Sequence, residues 1–360
     1  MHKTLMSAVA GAALCLSLVA CGQQATSQEV TSETATSQAA TSETATSATS
    51  EQASTAETAS TTSAQSTQAS TSNPIGTVAN DIAEDEDALV ATYPERFTQQ
   101  VYEDPETGLS VTYNLFLPAN YDEKASYPMV VFIADSSCAK GDPVQSLTQG
   151  LGALVWATDA WQAANPTIVC VPTYSETILD DHNGYSTTEY VELTKRLIDS
   201  VASSYAVDAK RIYGTGQSMG CMTTLILASE YPDLYAGCMF VDGQWDVSTL
   251  AGLEGQKFVY FAAEDDQPAT TGLNEVKGMF DADSVPYAAA QWDGTWSPEQ
   301  RSEAAQELAA QNQKANFVSW ATGTIDAGEG GGMGGASYHM ASFDYAYRCI
   351  AVMEWLFQQS

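Results

Sequence analysis

Six short runs of apolar residues, each bounded by Gly, Pro, Asp or Asn, alternate along the chain with segments of helical periodicity. The runs cover residues 109–117, 129–134, 167–171, 211–215, 237–241 and 258–262. The clearest helical pattern covers residues 190–205, where apolar side chains recur at three- and four-residue spacing and the charges fall on the opposite face. Apolar strands separated by helices are typical of a parallel sheet covered on both faces. The sequence therefore predicts an α/β fold with a mostly parallel central sheet and helices on both faces.

The N-terminal quarter of the chain has no comparable pattern. Residues 22–73 are mostly Ser, Thr, Ala, Gln and Glu, and the heptapeptide TSETATS begins at residue 31 and again at residue 41. No Lys or Arg occurs between Lys3 and Arg96, and residues 81–87 are strongly acidic. Such a segment cannot bury a hydrophobic core and stays solvated. We therefore predict a disordered tether over residues 21–93 and one folded domain over residues 94–360.

The first twenty residues form a unit of their own. The apolar run over residues 8–20 is too short for a permanent membrane span and is typical of a signal peptide. It ends in Leu18-Val19-Ala20-Cys21, which resembles the lipobox of bacterial lipoproteins. The resemblance implies cleavage after residue 20, lipidation of Cys21, and export to the outer face of the cytoplasmic membrane. We expect Cys21 to anchor the protein there through its lipid.

Charge and cysteine spacing exclude several functions. The net charge of −32 leaves no basic patch for nucleic acid. Besides Cys15 in the signal and Cys21, the chain has five cysteines whose spacing matches no zinc site and allows no disulfide pairing to be deduced; they are Cys138, Cys170, Cys221, Cys238 and Cys349. Cys221 and Cys238 are predicted to be buried free thiols. We expect no metal and no cofactor.

One pentapeptide carries most of the functional signal. Gly216-Gln217-Ser218-Met219-Gly220 follows a predicted strand and precedes a helix-like run over residues 221–229. This is the pattern of a nucleophile elbow, in which a strained turn exposes the serine and small residues on either side prevent collisions. It predicts an α/β-hydrolase fold with Ser218 as the nucleophile. The backbone amide of Met219, at a helix N-terminus, is the predicted oxyanion donor.

A serine nucleophile needs a base, and the chain has only three histidines. His2 lies in the predicted signal peptide, and His182 precedes the serine. The chain order of this fold is serine, acid, histidine, so His339 is the predicted base. We expect His339 in a glycine-rich loop just before a C-terminal helix over residues 343–357.

The acid is predicted at the end of the apolar run over residues 257–263. Glu264, Asp265 and Asp266 follow one another there, and any of them could fix the tautomer of the histidine. Spacing alone leaves all three open.

Residues 113–360 resemble the extracellular esterase group that includes feruloyl esterases, polyhydroxybutyrate depolymerases and related proteins described as predicted peptidases. The resemblance rests on the opening strands over residues 113–118 and 127–132, the elbow GTGQSMG, and the ending over residues 354–357. By position in that group, it implies Asp266 as the acid and the Ser136 amide as the second oxyanion donor. One departure is Ala134-Asp135 in place of the group's His-Gly pair. Asp135 would bring a carboxylate near a site that must stabilise negative charge.

These features predict a serine hydrolase that cleaves small-molecule or polymer-borne carboxylic esters through an acyl-serine intermediate. Two alternatives stay open: a serine peptidase of the same fold, and an inactive hydrolase-like surface binding lipoprotein. The glycine-rich run over residues 328–335 is interpreted as a flexible loop or lid rather than a phosphate cradle. Trp292, Trp296 and Trp320 fall where a substrate cleft could form, although core packing is the favoured interpretation for each.

Overall fold

A mixed sheet with helices on both faces forms the described part of the computed structural model, which comprises residues 74–328 and 336–360. The strands are β1 Thr98–Glu103, β2 Ser110–Phe116, β3 Tyr127–Ile133, β4 Ile168–Thr173, β5 Leu179–Asp180, β6 Ser186–Thr187, β7 Val207–Gln217, β8 Gly237–Val241, β9 Phe258–Ala263, β10 Tyr287–Trp292 and β11 Ala315–Trp320. The α-helices are α1 Glu86–Thr92, α2 Gln145–Thr148, α3 Asp159–Ala164, α4 Glu189–Ser204, α5 Met219–Glu230, α6 Gln267–Ala282, α7 Pro298–Ala310, α8 Ala336–Tyr347 and α9 Ile350–Phe357.

The large sheet has the strand order β1-β2-β4-β3-β7-β8-β9-β11-β10. The β1–β2 and β2–β4 pairs are antiparallel, and all the other neighbours are parallel. From β3 the chain passes to β4 on one side and then returns to β7 on the other. The strand order therefore reverses between β3 and β7, and in such sheets ligands bind beyond the carboxyl ends of the strands at this point.

Both faces of the sheet are buried, because neighbouring residues of a strand point to opposite sides. On β3, Phe132 belongs to one hydrophobic cluster and Ile133 to the other. The first cluster is covered by helices α3, α7, α8 and α9, and the second by α4, α5 and α6. This arrangement confirms the predicted α/β fold with helices on both faces.

The six predicted strands are all present, with ends that differ by up to four residues. The amphipathic helix predicted over residues 190–205 is α4, which begins after Thr188, whose side chain accepts a hydrogen bond from the Tyr190 N–H. Strands β1 and β10 were not predicted, because they lie at the two edges of the sheet and carry exposed residues at intervals. An edge strand is solvated on one side and lacks a continuous apolar run.

The prediction of one C-terminal helix over residues 343–357 is wrong, because the helical region begins earlier and is divided in two. The chain forms two helices, α8 and α9, with a break at Arg348 and Cys349. His339 consequently lies in the first turns of α8 and not in a loop. The glycines that suggested a loop are mostly residues 329–335, which are outside the described residues. The prediction of a flexible loop or lid there stays a prediction.

The predicted domain boundary at residue 94 needs a correction. An N-terminal segment, residues 74–92, packs on the domain and buries Val78, Ala83 and Leu89 in the first cluster. The acidic residues 81–87 are not all solvated, since Glu84 forms an ion pair with the buried Arg301. Sequence composition missed this segment because its few apolar residues are spread among acidic ones. Glu84 is stabilised by its ion pair with Arg301. Glu86 and Asp87 lie in the first turn of α1, where the positive end of the helix dipole stabilises negative charge.

The N-terminal segment is attached to α9 through one carboxylate. Glu354, almost fully buried, accepts hydrogen bonds from the N–H groups of Gly76, Thr77 (3.0 Å) and Val78 (2.9 Å) and from the Thr77 hydroxyl. Successive backbone N–H groups around a carboxylate form charge-assisted hydrogen bonds, which are stronger than neutral ones.

Within the described residues, no helix has the length and apolar character needed to cross a membrane.

Glu354→Gln is expected to lower the free energy of unfolding by about 2 kcal/mol, because the neutral amide weakens several charge-assisted bonds and presents an N–H group to other N–H groups. Urea unfolding followed by circular dichroism measures the change. Glu307→Gln, at an exposed position of α7, is the matched control and is expected to shift stability by less than about 0.5 kcal/mol. Equal effects of the two variants would show that the Glu354 contacts do not hold the N-terminal segment.

Candidate active site

Ser218 lies at a sharp turn between β7 and α5. Its backbone has φ 52° and ψ −117°, a strained conformation for a residue with a side chain. The Ser218 N–H donates to the Val241 carbonyl at 3.1 Å, which ties the turn to the end of β8. The residue is 8% exposed and lines a cavity.

The two glycines of the elbow are required by close backbone contacts. A Cβ atom on Gly220 would lie 1.8 Å from the Ile133 carbonyl oxygen, and one on Gly216 would lie 2.5 Å from the Gly220 carbonyl carbon. Any side chain would push α5 away from the ends of β3 and β7. The G-x-S-x-G spacing in the sequence therefore reflects a steric requirement of this turn.

Three predicted side chains meet at this turn. His339 Nε2 lies 2.8 Å from Ser218 Oγ, and His339 Nδ1 lies 2.5 Å from Asp266 Oδ2. Asp266 follows β9 and is 2% exposed, whereas His339 on α8 is partly exposed toward the cavity. The structure thus joins Ser218, His339 and Asp266 in one chain of hydrogen bonds.

The electrostatic surroundings of His339 favour its protonated form. Burial by itself lowers the pKa of the imidazole, but the hydrogen bond and charge of Asp266 raise it, and the carboxyl groups of Asp242 and Asp135 add to this effect. The net result is a raised pKa. An imidazolium formed during a reaction would be stabilised at this position.

The other two acids that the sequence left open point elsewhere. Glu264 accepts hydrogen bonds from Gln291 (2.5 Å) and from the Thr322 N–H (3.1 Å), and Asp265 accepts one from the Gly323 N–H (2.7 Å). Both carboxylates fix the turn that follows β11. Only Asp266 of the three is hydrogen-bonded to the imidazole of His339.

Ser136 and Met219, the two residues expected to supply backbone donors, line the same cavity as Ser218. Asp135, the residue that departs from the esterase pattern, is 2% exposed, and its carboxylate accepts hydrogen bonds from the Ser137 N–H (2.8 Å) and from Gln217 Nε2 (3.2 Å). These donors compensate its charge. Asp135 is not among the residues that line the cavity.

The cavity above Ser218 has a volume of about 800 Å³, within the range of small-molecule sites. The β5–β6 hairpin, which the sequence did not predict, supplies part of its lining. Gln244 donates a hydrogen bond to Asp181 of this hairpin, and the ring of Trp245 contacts Tyr185 at 5.2 Å. The strands of the hairpin are only two residues long, so neither periodicity nor propensity could reveal them.

His182, which we did not predict as the base, lines the cavity from the hairpin. Its side chain is 84% exposed and its Nδ1 lies 3.4 Å from Asp181 Oδ1. It has no hydrogen bond to Ser218 among those of the described residues. The structure thus brings His339, rather than His182, to the serine.

The tryptophans and cysteines serve packing. Trp320 is fully buried, Trp292 is 3% exposed, and their rings contact each other at 5.9 Å away from the cavity. Trp296 packs partly buried against the same cluster, so the core-packing interpretation is confirmed.

Cys221 and Cys238 are buried free thiols as predicted, and Cys138, Cys170 and Cys349 are also free. Within residues 74–328 and 336–360, no three His, Cys, Asp or Glu side chains form a group that could hold a metal ion.

Comparison with known proteins agrees with this fold and geometry. The family model Esterase, described as "Putative esterase", matches residues 105–328, more than half of the chain. The fold is of the α/β-hydrolase class, and the family match covers most of the sheet. The chain belongs to the Esterase family, which confirms the resemblance that the sequence indicated.

Curated relatives match over short segments. The chain is 34% identical over 67 residues to feruloyl esterase B of Talaromyces funiculosus, covering 19% of this chain and 18% of that one. It is 31% identical over 85 residues to acetylxylan esterase A of Emericella nidulans, covering 20% and 27%. It is 35% identical over 49 residues to poly(3-hydroxyalkanoate) depolymerase C of Paucimonas lemoignei, covering 14% and 12%. The chain thus spans about a quarter or less of the length of these relatives.

Among solved structures, the crystal structure of a thermostable esterase is similar to this chain with a TM-score of 0.58 and 24% sequence identity. The match covers 74% of this chain and 64% of that one. At this identity the similarity supports the shared fold.

Gly220→Ala is expected to lower the free energy of unfolding by at least about 2 kcal/mol, because the new methyl group would overlap a backbone carbonyl that cannot move without separating α5 from β3. Thermal unfolding by calorimetry measures the change. Gly278→Ala in α6, where a Cβ atom meets nothing within 4 Å, is the control and is expected to stabilise by up to about 1 kcal/mol. A Gly220→Ala protein as stable as the wild type would refute the close contact.

Proposed function

We propose that the protein is a carboxylic ester hydrolase that acts through a covalent acyl-serine intermediate, with Ser218 as nucleophile, His339 as general base and Asp266 as the acid that orients it. The observation that carries the proposal is the continuous hydrogen-bond chain from Ser218 Oγ through His339 to Asp266, at the floor of a cavity. A serine hydroxyl is a weak nucleophile near neutral pH unless a base removes its proton.

The reaction begins with transfer of the Ser218 Oγ proton to His339 Nε2 while Oγ forms a bond to the ester carbonyl carbon. Asp266 accepts the Nδ1–H of the imidazole, which keeps Nε2 free to accept that proton and stabilises the imidazolium. His339 then gives the proton to the leaving alkoxide oxygen, and the alcohol departs. In the second half, His339 Nε2 takes a proton from water while the water oxygen bonds to the acyl carbon; the bond from that carbon to Ser218 Oγ then breaks, Oγ regains the proton from His339, and the carboxylic acid product leaves.

The tetrahedral intermediate carries a negative oxygen, for which the backbone N–H groups of Met219 and Ser136 are the proposed donors. Met219 is the first residue of α5, so the positive end of the helix adds to its N–H group. Asp135 does not oppose this step strongly, because its carboxylate accepts hydrogen bonds from Ser137 and Gln217 and does not line the cavity.

The substrate class is proposed as a carboxylic ester, either a small molecule or an acyl group carried on a polymer. The relatives named feruloyl esterase and acetylxylan esterase support this proposal, and a cavity of about 800 Å³ can hold an aromatic or short aliphatic acyl group. A panel of matched p-nitrophenyl esters and p-nitroanilide amides separates this proposal from a peptidase, since an esterase turns over only the former efficiently.

The location is proposed from the N-terminal sequence. Residues 1–20 are removed as a signal peptide, Cys21 carries lipid, and a solvated tether over residues 22–73 holds the domain away from the membrane. A disordered tether of about 50 residues, as the sequence predicts, would have a root-mean-square reach of roughly 40 Å. The enzyme would then meet its substrate outside the cell.

Ser218→Ala is expected to abolish hydrolysis of p-nitrophenyl butyrate, and His339→Ala is expected to be nearly as damaging because the two residues act as a unit. The variant that combines both substitutions should have a kcat little lower than that of either single variant. His182→Ala is the matched control and is expected to keep most of the turnover, since His182 has no hydrogen bond to Ser218. Initial rates at saturating and low ester concentration give kcat and kcat/KM.

The acid is tested in the same assay. Asp266→Asn is expected to lower kcat less than Ser218→Ala but much more than Asp265→Asn, because of the two carboxylates only that of Asp266 is hydrogen-bonded to the imidazole. A fluorophosphonate probe should label Ser218 covalently in the wild type. If the probe does not label the protein, or His182→Ala is inactive while His339→Ala is active, the proposed mechanism is refuted.

Cys21→Ser is expected to move the protein from the membrane fraction to the soluble fraction of cells that export it, because the thiol that accepts the lipid is lost. Metabolic labelling with a radioactive fatty acid and immunoblotting of both fractions measure the change. Cys15→Ser is the matched control and should leave labelling and fractionation unaltered. Membrane association and fatty-acid labelling that survive Cys21→Ser would contradict the anchor.

A further inference from the structure

The turn after β3, which carries the proposed oxyanion donor Ser136, is joined to the nucleophile elbow by two side chains. Asp135 lies just beyond the end of β3, and Gln217 is the last residue of β7. The two strands are parallel neighbours in the sheet. Gln217 Nε2 donates a hydrogen bond to Asp135 Oδ2 at 3.2 Å, so this bond connects the segment that bears Ser136 with the one that bears Ser218. The proposed mechanism gives neither side chain a function.

Both side chains are buried. Asp135 is 2% exposed and Gln217 is 1% exposed. Gln217 Nε2 also donates to Oε1 of Gln149, which follows α2, whereas Gln217 Oε1 is buried and has no hydrogen-bond partner among the described residues. A buried oxygen without a donor is unfavourable, and an apolar side chain at this position would avoid it. The favourable contribution of this glutamine therefore comes from its N–H groups, which hold the carboxylate of Asp135.

Asp135 in turn fixes the tight turn Ser136–Cys138. Asp135 Oδ1 accepts a hydrogen bond from the Ser137 N–H at 2.8 Å, and the Asp135 backbone carbonyl accepts one from the Cys138 N–H at 3.2 Å. Aspartate and asparagine side chains commonly stabilise turns by accepting from the backbone two residues further on. No described residue accepts a hydrogen bond from the N–H of Ser136.

The peptide group between Asp135 and Ser136 transmits this restraint. In a trans peptide the C=O and the N–H lie in one plane and point in opposite directions. Because the Cys138 N–H holds the Asp135 carbonyl, the direction of the Ser136 N–H is fixed as well. Ser136 lines the same cavity as Ser218. A fixed and unpaired N–H group at this place can donate to an oxygen on which negative charge develops.

We propose that Asp135 and Gln217 are positioning residues of the oxyanion hole: Gln217 holds the Asp135 carboxylate, which fixes the turn and so aims the Ser136 N–H at the substrate's carbonyl oxygen. The inference rests on the proposed serine mechanism. Neither side chain lines the cavity, so both act through the backbone and exchange no proton. Because the bond to the oxygen strengthens as its charge develops, loss of the arrangement lowers kcat more than it raises KM. Asp135, where the chain departs from the esterase pattern, thus assists the reaction.

Ser136→Pro measures what the Ser136 N–H contributes. Proline has no N–H and fits the start of a tight turn, and the extended backbone of Asp135, with ψ 173°, suits a residue that precedes proline. We expect this variant to lower kcat for p-nitrophenyl butyrate by roughly a hundredfold. Circular dichroism and thermal unfolding check that it folds.

Gln217→Met removes the bonds to Asp135 and Gln149 and keeps a side chain of similar length. We expect kcat to fall by roughly tenfold while KM stays within about twofold, since a misaimed donor affects the transition state more than binding. Gln256→Met is the matched control, because Gln256 is also buried, donates to the Pro232 carbonyl at 2.9 Å and does not line the cavity. Its kcat is expected to equal that of the wild type.

Two substitutions of Asp135 separate its hydrogen bonds from its charge. Asp135→Asn still accepts from the Ser137 N–H, and its amide can donate to Gln217 Oε1, the atom that lacks a partner. We expect its kcat within about threefold of the wild type, and a fall of roughly tenfold or more in Asp135→Ala. Both variants remove a charge that raises the pKa of His339, so the acid limb of kcat/KM moves to lower pH. Rates are therefore compared on the pH plateau.

The decisive experiment combines Gln217→Met with Ser136→Pro. If Gln217 acts through the Ser136 N–H, the combined variant has the kcat of Ser136→Pro alone, because the donor is already absent. A role confined to stability would instead multiply the two losses. A trifluoromethyl ketone, whose adduct with Ser218 carries an oxyanion, gives a second readout: its inhibition constant should rise in Gln217→Met by the factor by which kcat/KM falls. Multiplied losses, or an unaltered kcat in Gln217→Met, overturn the inference.

Ser218→Ala, assayed in parallel, separates this inference from the proposed mechanism. An active Ser218→Ala refutes the serine mechanism and the inference with it. An inactive Ser218→Ala together with full activity of Ser136→Pro overturns the inference alone. If Gln217→Met does not fold, Asp135→Ala takes its place, by itself and combined with Ser136→Pro. A plateau kcat of Asp135→Ala equal to that of the wild type then overturns the inference, and a tenfold loss that is absent on the Ser136→Pro background supports it.

Discussion

The contact between the start of α5 and the end of β3 determines the geometry of the whole site. The Ile133 carbonyl oxygen and Gly220 are so close that no Cβ atom fits between them, and Gly216 faces Gly220 in the same way. This backbone-to-backbone contact fixes Ser218 at φ 52° and brings Ser136, which follows β3, to the cavity that Met219 also lines. The strain at Ser218 persists because the sheet and the helix on either side are fully buried.

The electrostatic character of the site comes from three carboxyl groups around one imidazole. Asp266, Asp242 and Asp135 all raise the pKa of His339, against the effect of its burial. Their own charges are compensated differently: Asp135 by Ser137 and Gln217, and Asp242 by the Ala263 N–H on only one oxygen. An arrangement of this kind favours a cationic histidine, which the proposed reaction forms transiently.

The base is held by a helix that is itself fixed at several points. On α8, Asp344 accepts the Leu151 N–H at 2.7 Å and Ser342 donates to the His339 carbonyl. Burial raises the pKa of Asp344 to about 7, and the N-terminal segment lies close to it through Glu86. The N-terminal segment is held in turn by Glu354 of α9. Contacts far from Ser218 in sequence therefore restrain the position of His339.

The sequence by itself determined the fold class, the nucleophile elbow and the choice of His339 over His182, because each depends on local pattern or on chain order. Apolar strands buried on both faces leave continuous runs, and the steric demand at Gly216 and Gly220 leaves a fixed spacing. Residue pattern left Glu264, Asp265 and Asp266 open and only the family resemblance implied Asp266; the tertiary structure brings Asp266 to the imidazole, since three consecutive residues at a strand end point in different directions. It also decided that residues 74–92 belong to the domain, that His339 lies on α8, and that the carboxyl group of Asp242 helps to raise the pKa of His339. These features rest on hydrogen bonds and ion pairs between residues distant in sequence, such as Glu354 with Thr77 and Arg301 with Glu84, which leave no periodic signal in the chain.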